Sequence, residues 1–352
     1  MTATGHEAVG VPGGAAGAKD RLPRIAFIPY GGTISSVVQP GGGAVPTLDV
    51  GDMARSLPGV SELAVLMPQE SKRLASSQMT VRDLLDIAQA ARTAIAQGCR
   101  GVVVSQGTDT IEEIAFGLDL LCSGDEPIVV TGAMRNASLP SADGPANVIA
   151  AIRVAASEGA RGLGTLVVFN EEVHAARYVR KSHTANPATF RSAATGPLGW
   201  LAENDVRIAV RPARRFHVSV PNAAEVPPVC LLKMALGDDG RLLPLLPGAG
   251  FAGVVLEGFG GGHVTGDVAA PGILDPLIAA MPVVLASRTG SGEVLRTTYA
   301  FTGSETDLIR RGVIHAGSLD GPKARLLLTL LLARGADTQE IREAFAQIGP
   351  LC

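Results

Sequence analysis

The chain has 352 residues, of which 46% are hydrophobic and 18% are charged, and its formal net charge at pH 7 is −3. A chain of this length fits two domains better than one, and its apolar content is typical of a folded globular protein. The small negative charge argues against a nucleic-acid partner, because such partners select for basic surfaces. The longest apolar run, Leu326–Ala333, is far shorter than the ~20 residues of a membrane-spanning helix. We therefore predict a soluble protein of the cytoplasm with no nucleic-acid or membrane partner.

Neither the N-terminus nor the cysteines predict a special function. Residues 1–21 are rich in glycine and alanine and contain no continuous apolar stretch, so we predict a disordered tail rather than a signal peptide. The cysteines show neither a pairing pattern nor the spacing of metal ligands, and they are Cys99, Cys122, Cys230 and Cys352. We predict that the protein uses no metal and no organic cofactor.

The first predicted strand, Arg24–Pro29, is followed by two glycines, Gly31 and Gly32, and then by Thr33. Glycine lets the backbone turn sharply and approach a ligand closely. Thr33 would therefore present its hydroxyl where this strand leaves the sheet. A Gly-Gly-Thr turn is by itself weak support for a site, because many tight turns have this composition.

Two serines, Ser76 and Ser77, precede a helix that the apolar spacing predicts over residues 80–97. Serine at this place is an ordinary helix cap. From the residues alone, the two hydroxyls are therefore open to a purely structural interpretation as well as to a role in ligand binding.

The most informative stretch of the chain is GVVVSQGTDTIEE at residues 101–113. The valines predict a buried parallel strand, and Thr110 with Glu113 has the form of a capping box that begins a helix over residues 111–121. Thr108 and Asp109 then lie where a strand ends and a helix begins, which is the edge where open α/β sheets bind ligands. In the alternative interpretation, Asp109 and Thr110 merely cap the helix.

Two later segments repeat the pattern of a strand followed by a polar loop. Residues 127–147 read PIVVTGAMRNASLPSADGPAN, and residues 167–192 place Lys181 in a loop after another strand. Taken alone, Lys181 would be interpreted as a solvated surface lysine. The alternation of strands and helices predicts an α/β fold with a mostly parallel sheet that is covered on both faces.

The pattern changes in the basic and proline-rich stretch after residue 210. We predict a larger N-terminal α/β domain over residues 22–212 with a mostly parallel sheet flanked by helices. An interdomain linker follows over 213–227, and a smaller C-terminal α/β domain covers 228–352.

Four short motifs occur together in one order and spacing: GGTI at 31–34, GTDT at 107–110, TGAMR at 131–135 and SADGP at 141–145. In this combination the chain resembles the bacterial-type L-asparaginases, a family of homotetrameric threonine amidohydrolases. The resemblance runs from about Arg24 to the C-terminus. It implies hydrolysis of L-asparagine to L-aspartate and ammonia without a cofactor.

The resemblance also implies roles for individual residues. Thr33 corresponds to the nucleophile that attacks the side-chain amide, and Thr108, Asp109 and Lys181 correspond to a second catalytic cluster. Asp109 would also hold the α-ammonium of the substrate. Lys181 would act as a proton acceptor or order Thr108.

Three further positions follow from the same resemblance. Ser76, or Ser77 if the register differs by one, would bind the α-carboxylate of the substrate, and the backbone near Ala133 would line the pocket beside the leaving amide. Glu305 matches a glutamate that reaches into the active site of a neighbouring subunit. The resemblance therefore implies a homotetramer that is built as a dimer of intimate dimers.

The chain departs from the family in places that bear on the substrate. Many members carry a tyrosine on a lid after the nucleophilic threonine, whereas this chain has no tyrosine between Ile34 and Asp52, and Tyr30 directly precedes Gly31. Two alternatives therefore stay open. The enzyme could act on glutamine or another asparagine-like amide, or the protein could be a non-catalytic amino-acid binder.

Overall fold

The computed structural model describes residues 22–31, 36–38, 44–46, 59–213 and 215–349. In chain order the strands are β1 Arg24–Tyr30, β2 Ser36–Val38, β3 Ala44–Pro46, β4 Val65–Pro68, β5 Gly101–Gln106, β6 Ile128–Thr131, β7 Thr165–Phe169, β8 Glu172–Ala175, β9 Arg180–Lys181, β10 Phe190–Arg191, β11 Gly199–Ala202, β12 Asp205–Ile208, β13 Val229–Lys233, β14 Gly253–Gly258, β15 Val283–Ser287 and β16 Ile314–His315. The helices are α1 Val60–Leu63, α2 Val81–Ala96, α3 Ile111–Leu121, α4 Gly144–Ala156, α5 Leu274–Ala280, α6 Glu305–Arg310, α7 Gly321–Ala333 and α8 Thr338–Ile348.

The larger sheet has eight strands in the order β12-β11-β8-β7-β6-β5-β1-β4. The five strands from β4 to β7 are parallel, whereas β8, β11 and β12 add an antiparallel part at the other edge. The central strands are nearly continuous apolar runs because helices cover both faces. Every residue of β5 is buried, and burying each of its valines stabilises the fold by about 1.5–3 kcal/mol.

Two apolar layers lie on the two faces of this sheet. Buried residues of α2 and α3 pack on one face, and those of α1 and α4 pack on the other. The smaller sheet is parallel throughout and has the order β13-β14-β15-β16. Helix α7 contacts β13 and β14 of this sheet and also α3 of the larger part, so one apolar core joins the two halves of the chain.

The strand order places a topological switch point between β1 and β5. From β1 the chain continues to β4 on one side, and it returns to form β5 on the other side. The last residues of the two strands are in register, since Tyr30 is paired with Gln106. The loops that begin at Gly31 and Gly107 therefore leave the sheet side by side, where open α/β sheets bind ligands.

These observations confirm the predicted fold class, but they correct the predicted capping box at the start of α3. Among the described residues, no backbone N–H of α3 donates to the Thr110 side chain. Its hydroxyl instead donates to the carbonyl of Ser76 and accepts a bond from Gln106 Nε2. The Thr110 hydroxyl is directed to the turn at Ser76, which packs directly against residues 108–110, and not to the first N–H groups of the helix.

Three further predictions concern the N-terminal tail, the interdomain linker and membrane-spanning helices. The tail over residues 1–21 lies outside the described residues. The division of the chain at residues 213–227 stays a prediction. No helix in the described part of the chain is long and apolar enough to cross a membrane.

The environment of His174 in β8 predicts that the stability of the protein depends on pH. Only 1% of its side chain is exposed; Nδ1 lies 3.1 Å from Ser192 Oγ, and Nε2 lies 3.2 Å from the carboxylate of Glu172. Burial lowers the pKa of His174 below its usual 6.5, and the half-exposed Glu172 offsets this only in part because solvent screens its charge.

We expect the free energy of unfolding to fall as the pH drops below about 6.5, because His174 then binds a proton in the unfolded chain but not in its buried site. The stability due to neutral His174 is present above that pH and is lost as the pH falls through its depressed folded pKa. Urea unfolding at several pH values should show a shallower pH dependence for His174→Gln than for the wild type. Parallel curves for the two proteins would contradict this assignment.

Candidate active site

The GTDT stretch forms the centre of the candidate site at the end of β5. Residues Thr108–Thr110 form a single 3₁₀ turn before α3, so the buried Thr108 and the exposed Asp109 lie at the edge of the sheet. Gly107 is required here, because a Cβ at this position would lie 2.6 Å from Ser76 Oγ. The close approach of the two segments is what brings a serine to the carboxylate.

Ser76 contacts Asp109 in two ways. Its hydroxyl lies 3.2 Å from Asp109 Oδ2, to which it donates, and it accepts a bond of 3.2 Å from the Asp109 backbone N–H. Ser76 is buried in the 3₁₀ turn Ser76–Gln78, whereas Ser77 is exposed. Thr80, rather than either serine, caps α2 through a capping box with Asp83. The structure therefore brings Ser76 and not Ser77 to the cluster.

Lys181 joins the cluster from a distant part of the chain. It ends β9, which pairs with β10, and its ammonium Nζ lies 2.9 Å from Thr108 Oγ1 and 2.7 Å from Asp109 Oδ1. Only 17% of its side chain is exposed. The interpretation of Lys181 as a solvated surface lysine is therefore wrong, and so is the interpretation of Asp109 as a simple helix cap.

The electrostatics of the cluster keep Asp109 ionised. The hydrogen bond from Lys181 holds the pKa of the Asp109 carboxyl below its usual range, and the charge of Lys181 and the bond from Ser76 add to this against the cost of partial burial. The side chain of Asp109 remains 61% exposed. An ionised carboxylate is thus open to a cationic group of a ligand.

The loop after β6 lines the same edge of the sheet. Ala133 is buried, and a Cβ on the preceding Gly132 would lie 3.5 Å from Thr108 Cγ2. Asp143 holds this loop, because its carboxylate accepts the backbone N–H groups of Met134 and Arg135 at 3.0 and 2.8 Å. The predicted position of Ala133 beside the cluster agrees with this arrangement, while its contact with a leaving amide stays a prediction.

Two of the predicted residues are not brought to the cluster in the described part of one chain. Thr33 lies outside the described residues. Glu305 begins α6 and is fully buried, where its carboxylate accepts the N–H groups of Thr298 and Tyr299 at 2.9 and 2.7 Å and lies 3.1 Å from His263 Nε2. No hydrogen bond among the described residues links Glu305 to the cluster around Asp109.

Glu112 belongs to the site but was not predicted from the sequence. Its Oε2 accepts the backbone N–H of Lys181 at 2.7 Å, and burial raises the pKa of its carboxyl. Glu112 is the second residue after Thr110, and its neighbour Glu113 is the residue that the predicted capping box includes. Nothing in the local pattern indicates a partner that lies 69 residues away.

The arrangement has the parts of a hydrolase of amides or esters. The Lys181 ammonium bridges a hydroxyl and a carboxylate, so it can order the Thr108 hydroxyl and pass a proton to or from it. Asp109 can bind an ammonium, and the serine and backbone groups around it can orient a carboxylate. These groups lie at the switch point of an α/β sheet, and their chemistry is compatible with a small zwitterionic ligand.

Comparison with known proteins identifies the family. Residues 24–214 match the family model described as "Asparaginase, N-terminal", and residues 228–345 match the "Glutaminase/Asparaginase C-terminal domain". The chain is 36% identical to the probable L-asparaginase of Deinococcus radiodurans, with 93% of this chain and 98% of the relative covered. It is 32% identical to L-asparaginase 2 of Escherichia coli, with 95% and 96% covered.

A solved structure shows the same fold. The crystal structure of a probable cytoplasmic L-asparaginase from Campylobacter jejuni matches with a TM-score of 0.82 at 30% identity, and the match covers 92% of this chain and 99% of the other. The chain therefore belongs to the asparaginase family of amidohydrolases. Both halves of the chain are included in this assignment, since the two family models together span both sheets.

Replacing Asp109 with alanine should weaken both ligand binding and turnover. Loss of one partner of a charge pair costs about 2–5 kcal/mol when the pair is buried, and the open face of Asp109 puts the expected loss near the lower end, about thirtyfold in affinity. Titration calorimetry with L-aspartate measures this loss. Asp109→Asn, which keeps the shape but not the charge, should lose nearly as much; unchanged affinity in both variants would remove Asp109 from the ammonium site.

Proposed function

We propose that this protein hydrolyses L-asparagine to L-aspartate and ammonia with Thr33 as nucleophile. The observation that carries the proposal is the Lys181 ammonium, which bridges the Thr108 hydroxyl and the Asp109 carboxylate at the switch point of the sheet. The relatives from Deinococcus and Escherichia and the Campylobacter structure bear the name L-asparaginase, which supports asparagine as the substrate.

The position of Thr33 in the chain is compatible with this role. Gly31 has a φ of +76° and leaves β1 beside Gly107, and a Cβ on it would lie 2.6 Å from the Leu74 carbonyl oxygen. Thr33 follows two residues later, and two residues span at most about 7 Å. The proposal therefore places the nucleophile within reach of a substrate that is held by Asp109.

The reaction would proceed in two halves. In the first, the Thr33 hydroxyl oxygen bonds to the amide carbon, the C–N bond breaks, and ammonia leaves with a transferred proton. In the second, water attacks the resulting ester and releases L-aspartate and the free hydroxyl. Lys181 and Thr108 would move the protons, and backbone around Ala133 and Ser76 would orient the leaving amide and the α-carboxylate.

The test is ammonia release by the purified full chain. L-Asparagine, L-glutamine, D-asparagine and a peptide amide form the panel, and Thr33→Ala protein prepared in parallel controls for contaminating activity. The highest kcat/KM should be for L-asparagine. A preference for L-glutamine would move the assignment to a glutaminase, and tight aspartate binding without ammonia release from any amide would leave a non-catalytic binder.

We further propose that the active form is a homotetramer made of intimate dimers. The role implied for Glu305 needs a second subunit, and because Glu305 is fully buried in its own chain, it would also require the carboxylate to leave the N–H groups of Thr298 and Tyr299. Next to Glu305 lie Tyr299 and Phe301, which are about half exposed and pack around His263. Such exposed aromatic groups favour association. Full activity of a monomer in sedimentation experiments at the assay concentration would contradict the proposal.

We also propose a cytoplasmic location for the protein. The Campylobacter structure is described as a probable cytoplasmic L-asparaginase, whereas a Haemophilus influenzae relative at 31% identity is described as a probable periplasmic one. Cell fractionation with antibody detection decides between these two locations. Recovery of the protein in the periplasmic fraction would contradict the proposal.

Activity should not depend on a metal ion or an organic cofactor, because an ordered threonine and lysine can supply the nucleophile and the proton path. In the described ranges no group of three or more His, Cys, Asp or Glu side chains is placed to hold a metal ion. Dialysis against a chelator should leave kcat unchanged within about twofold, as expected when no metal enters the transition state. Activity that is lost on dialysis and restored by a divalent ion would contradict this prediction.

A further inference from the structure

The backbone that carries Lys181 is held by helix α7, which belongs to the C-terminal half of the chain. Lys323, in the first turn of α7, is 1% exposed, and its Nζ donates to the carbonyl oxygens of Arg177 and Val179 at 3.1 and 2.5 Å. Asp320, which caps the same helix, lies 3.2 Å from Arg180 Nε. Three successive contacts thus fasten the residues that lead into Lys181.

A second carboxylate holds the same segment from the other side. Glu112 of α3 accepts the backbone N–H of Lys181 at 2.7 Å. Burial raises the pKa of Glu112 and lowers the pKa of Lys323, and the opposite charges of the two groups offset part of both shifts. The backbone from 177 to 181 is therefore held by Glu112 from one half of the molecule and by Lys323 from the other.

Packing alone does not explain a lysine at position 323. Apart from Thr329, the other buried side chains of helix α7 are apolar, and a buried ammonium is costly unless hydrogen bonds replace its lost hydration. Its described acceptors are the two carbonyls, with Asp320 Oδ2 at 3.9 Å. Lys323 fixes the positions of the Arg177 and Val179 carbonyls, which lie close to Lys181 in the chain. A displacement of a catalytic group by about 1 Å can lower the rate a hundredfold.

We propose that Lys323 and Glu112 are positioning residues that hold the Lys181 ammonium within hydrogen-bond reach of Thr108 and Asp109. Through Lys323 the C-terminal half takes part in the reaction without touching the substrate. The inference rests on the proposed function, in which Lys181 moves protons during turnover.

The test is a double-mutant cycle between Lys323→Met and Lys181→Met, with ammonia release from L-asparagine as the readout. Lys323→Met should lower kcat about ten- to a hundredfold and change KM less than about threefold, because the proton path and not the ligand site is displaced. In the Lys181→Met background the same change should cost almost nothing further. Thr329→Val is the matched control: Thr329 is equally buried in α7, and its hydroxyl bonds within the helix, to Arg325.

Thermal unfolding of each variant separates positioning from general destabilisation. If Lys323→Met does not fold, Glu112→Ala and Glu112→Gln decide: the alanine variant should lose kcat, and the glutamine variant, which keeps an acceptor for the Lys181 N–H, should lose less. Equal activity of these two variants overturns the proposal. So does a Lys323→Met protein as active as Thr329→Val, or losses that multiply in the double variant.

The cycle also separates this inference from the proposed function. Wild-type turnover in Lys181→Met would remove the proton-transfer role of Lys181 and, with it, the function of the positioning contacts. A strong loss in Lys181→Met together with full activity in Lys323→Met would remove only the positioning role and leave the proposed function intact.

Discussion

Replacing Thr33 with alanine should abolish ammonia release from L-asparagine, with a loss of about four to six orders of magnitude in kcat. The substitution removes the hydroxyl that is proposed as the nucleophile. Binding of L-aspartate should be retained, because Asp109 and Ser76 keep their contacts. Single-turnover kinetics and titration calorimetry on the same preparation measure the two effects separately.

Thr108→Ala is the comparison that tests the identity of the nucleophile. The Thr108 hydroxyl accepts a bond from Lys181 and lies in a buried position at the end of β5. Its loss should lower turnover by removing a link in the proton path. Near-native ammonia release in Thr33→Ala together with an inactive Thr108→Ala would transfer the role of nucleophile to Thr108. If both variants stayed active, the threonine mechanism would not apply to this chain.

Lys181→Met should lower turnover by about 10²–10⁴-fold and leave the affinity for L-aspartate close to that of the wild type. Methionine has a similar length but can neither accept nor donate the proton. Asp109 loses the bond that depresses its pKa most, so its pKa should rise toward the usual value near 3.9 while the carboxylate stays ionised at neutral pH. The pH below which the affinity for L-aspartate declines should therefore be higher in the variant than in the wild type.

Lys181→Arg separates proton transfer from simple charge pairing. Arginine keeps a positive charge beside Asp109, but it does not deprotonate under the conditions of the assay. In this variant we expect the affinity for L-aspartate to decline at the same low pH as in the wild type. Its turnover should stay close to that of Lys181→Met. Restored turnover in Lys181→Arg would mean that Lys181 acts by its charge alone. If the affinity of Lys181→Met for L-aspartate declined at the same pH as that of the wild type, Lys181 would not be the cause of the lowered Asp109 pKa.

Much of the fold could be predicted from local patterns, because apolar spacing and turn residues act over a few neighbours. The predicted helix over residues 80–97 is observed as Val81–Ala96, and the helix over 111–121 begins and ends as predicted. The capping box at Thr110 was predicted by the same local logic and is wrong. The Thr110 hydroxyl instead donates to the carbonyl of Ser76, which lies 34 residues away in the sequence and is invisible to any local rule.

The sequence by itself determined the family and which loops meet at the edge of the sheet. The ends of parallel strands share one edge, so the strand ends before Gly31 and Gly107 could be predicted to lie side by side, as they do. Only the tertiary structure decided between Ser76 and Ser77, since the two neighbouring serines have the same intrinsic preferences and differ in which one faces Asp109.

The same holds for Lys181 and for its supports at Glu112 and Lys323. The ammonium of Lys181 reaches Asp109 across 72 residues of sequence, and Lys323 reaches Val179 across 144. Contacts of this kind depend on how helices α3 and α7 pack against each other, and a lysine in an apolar helix has no local partner that would reveal its role. The burial that makes these charges costly is a property of the assembled core, and it exists only once both halves of the chain have folded together.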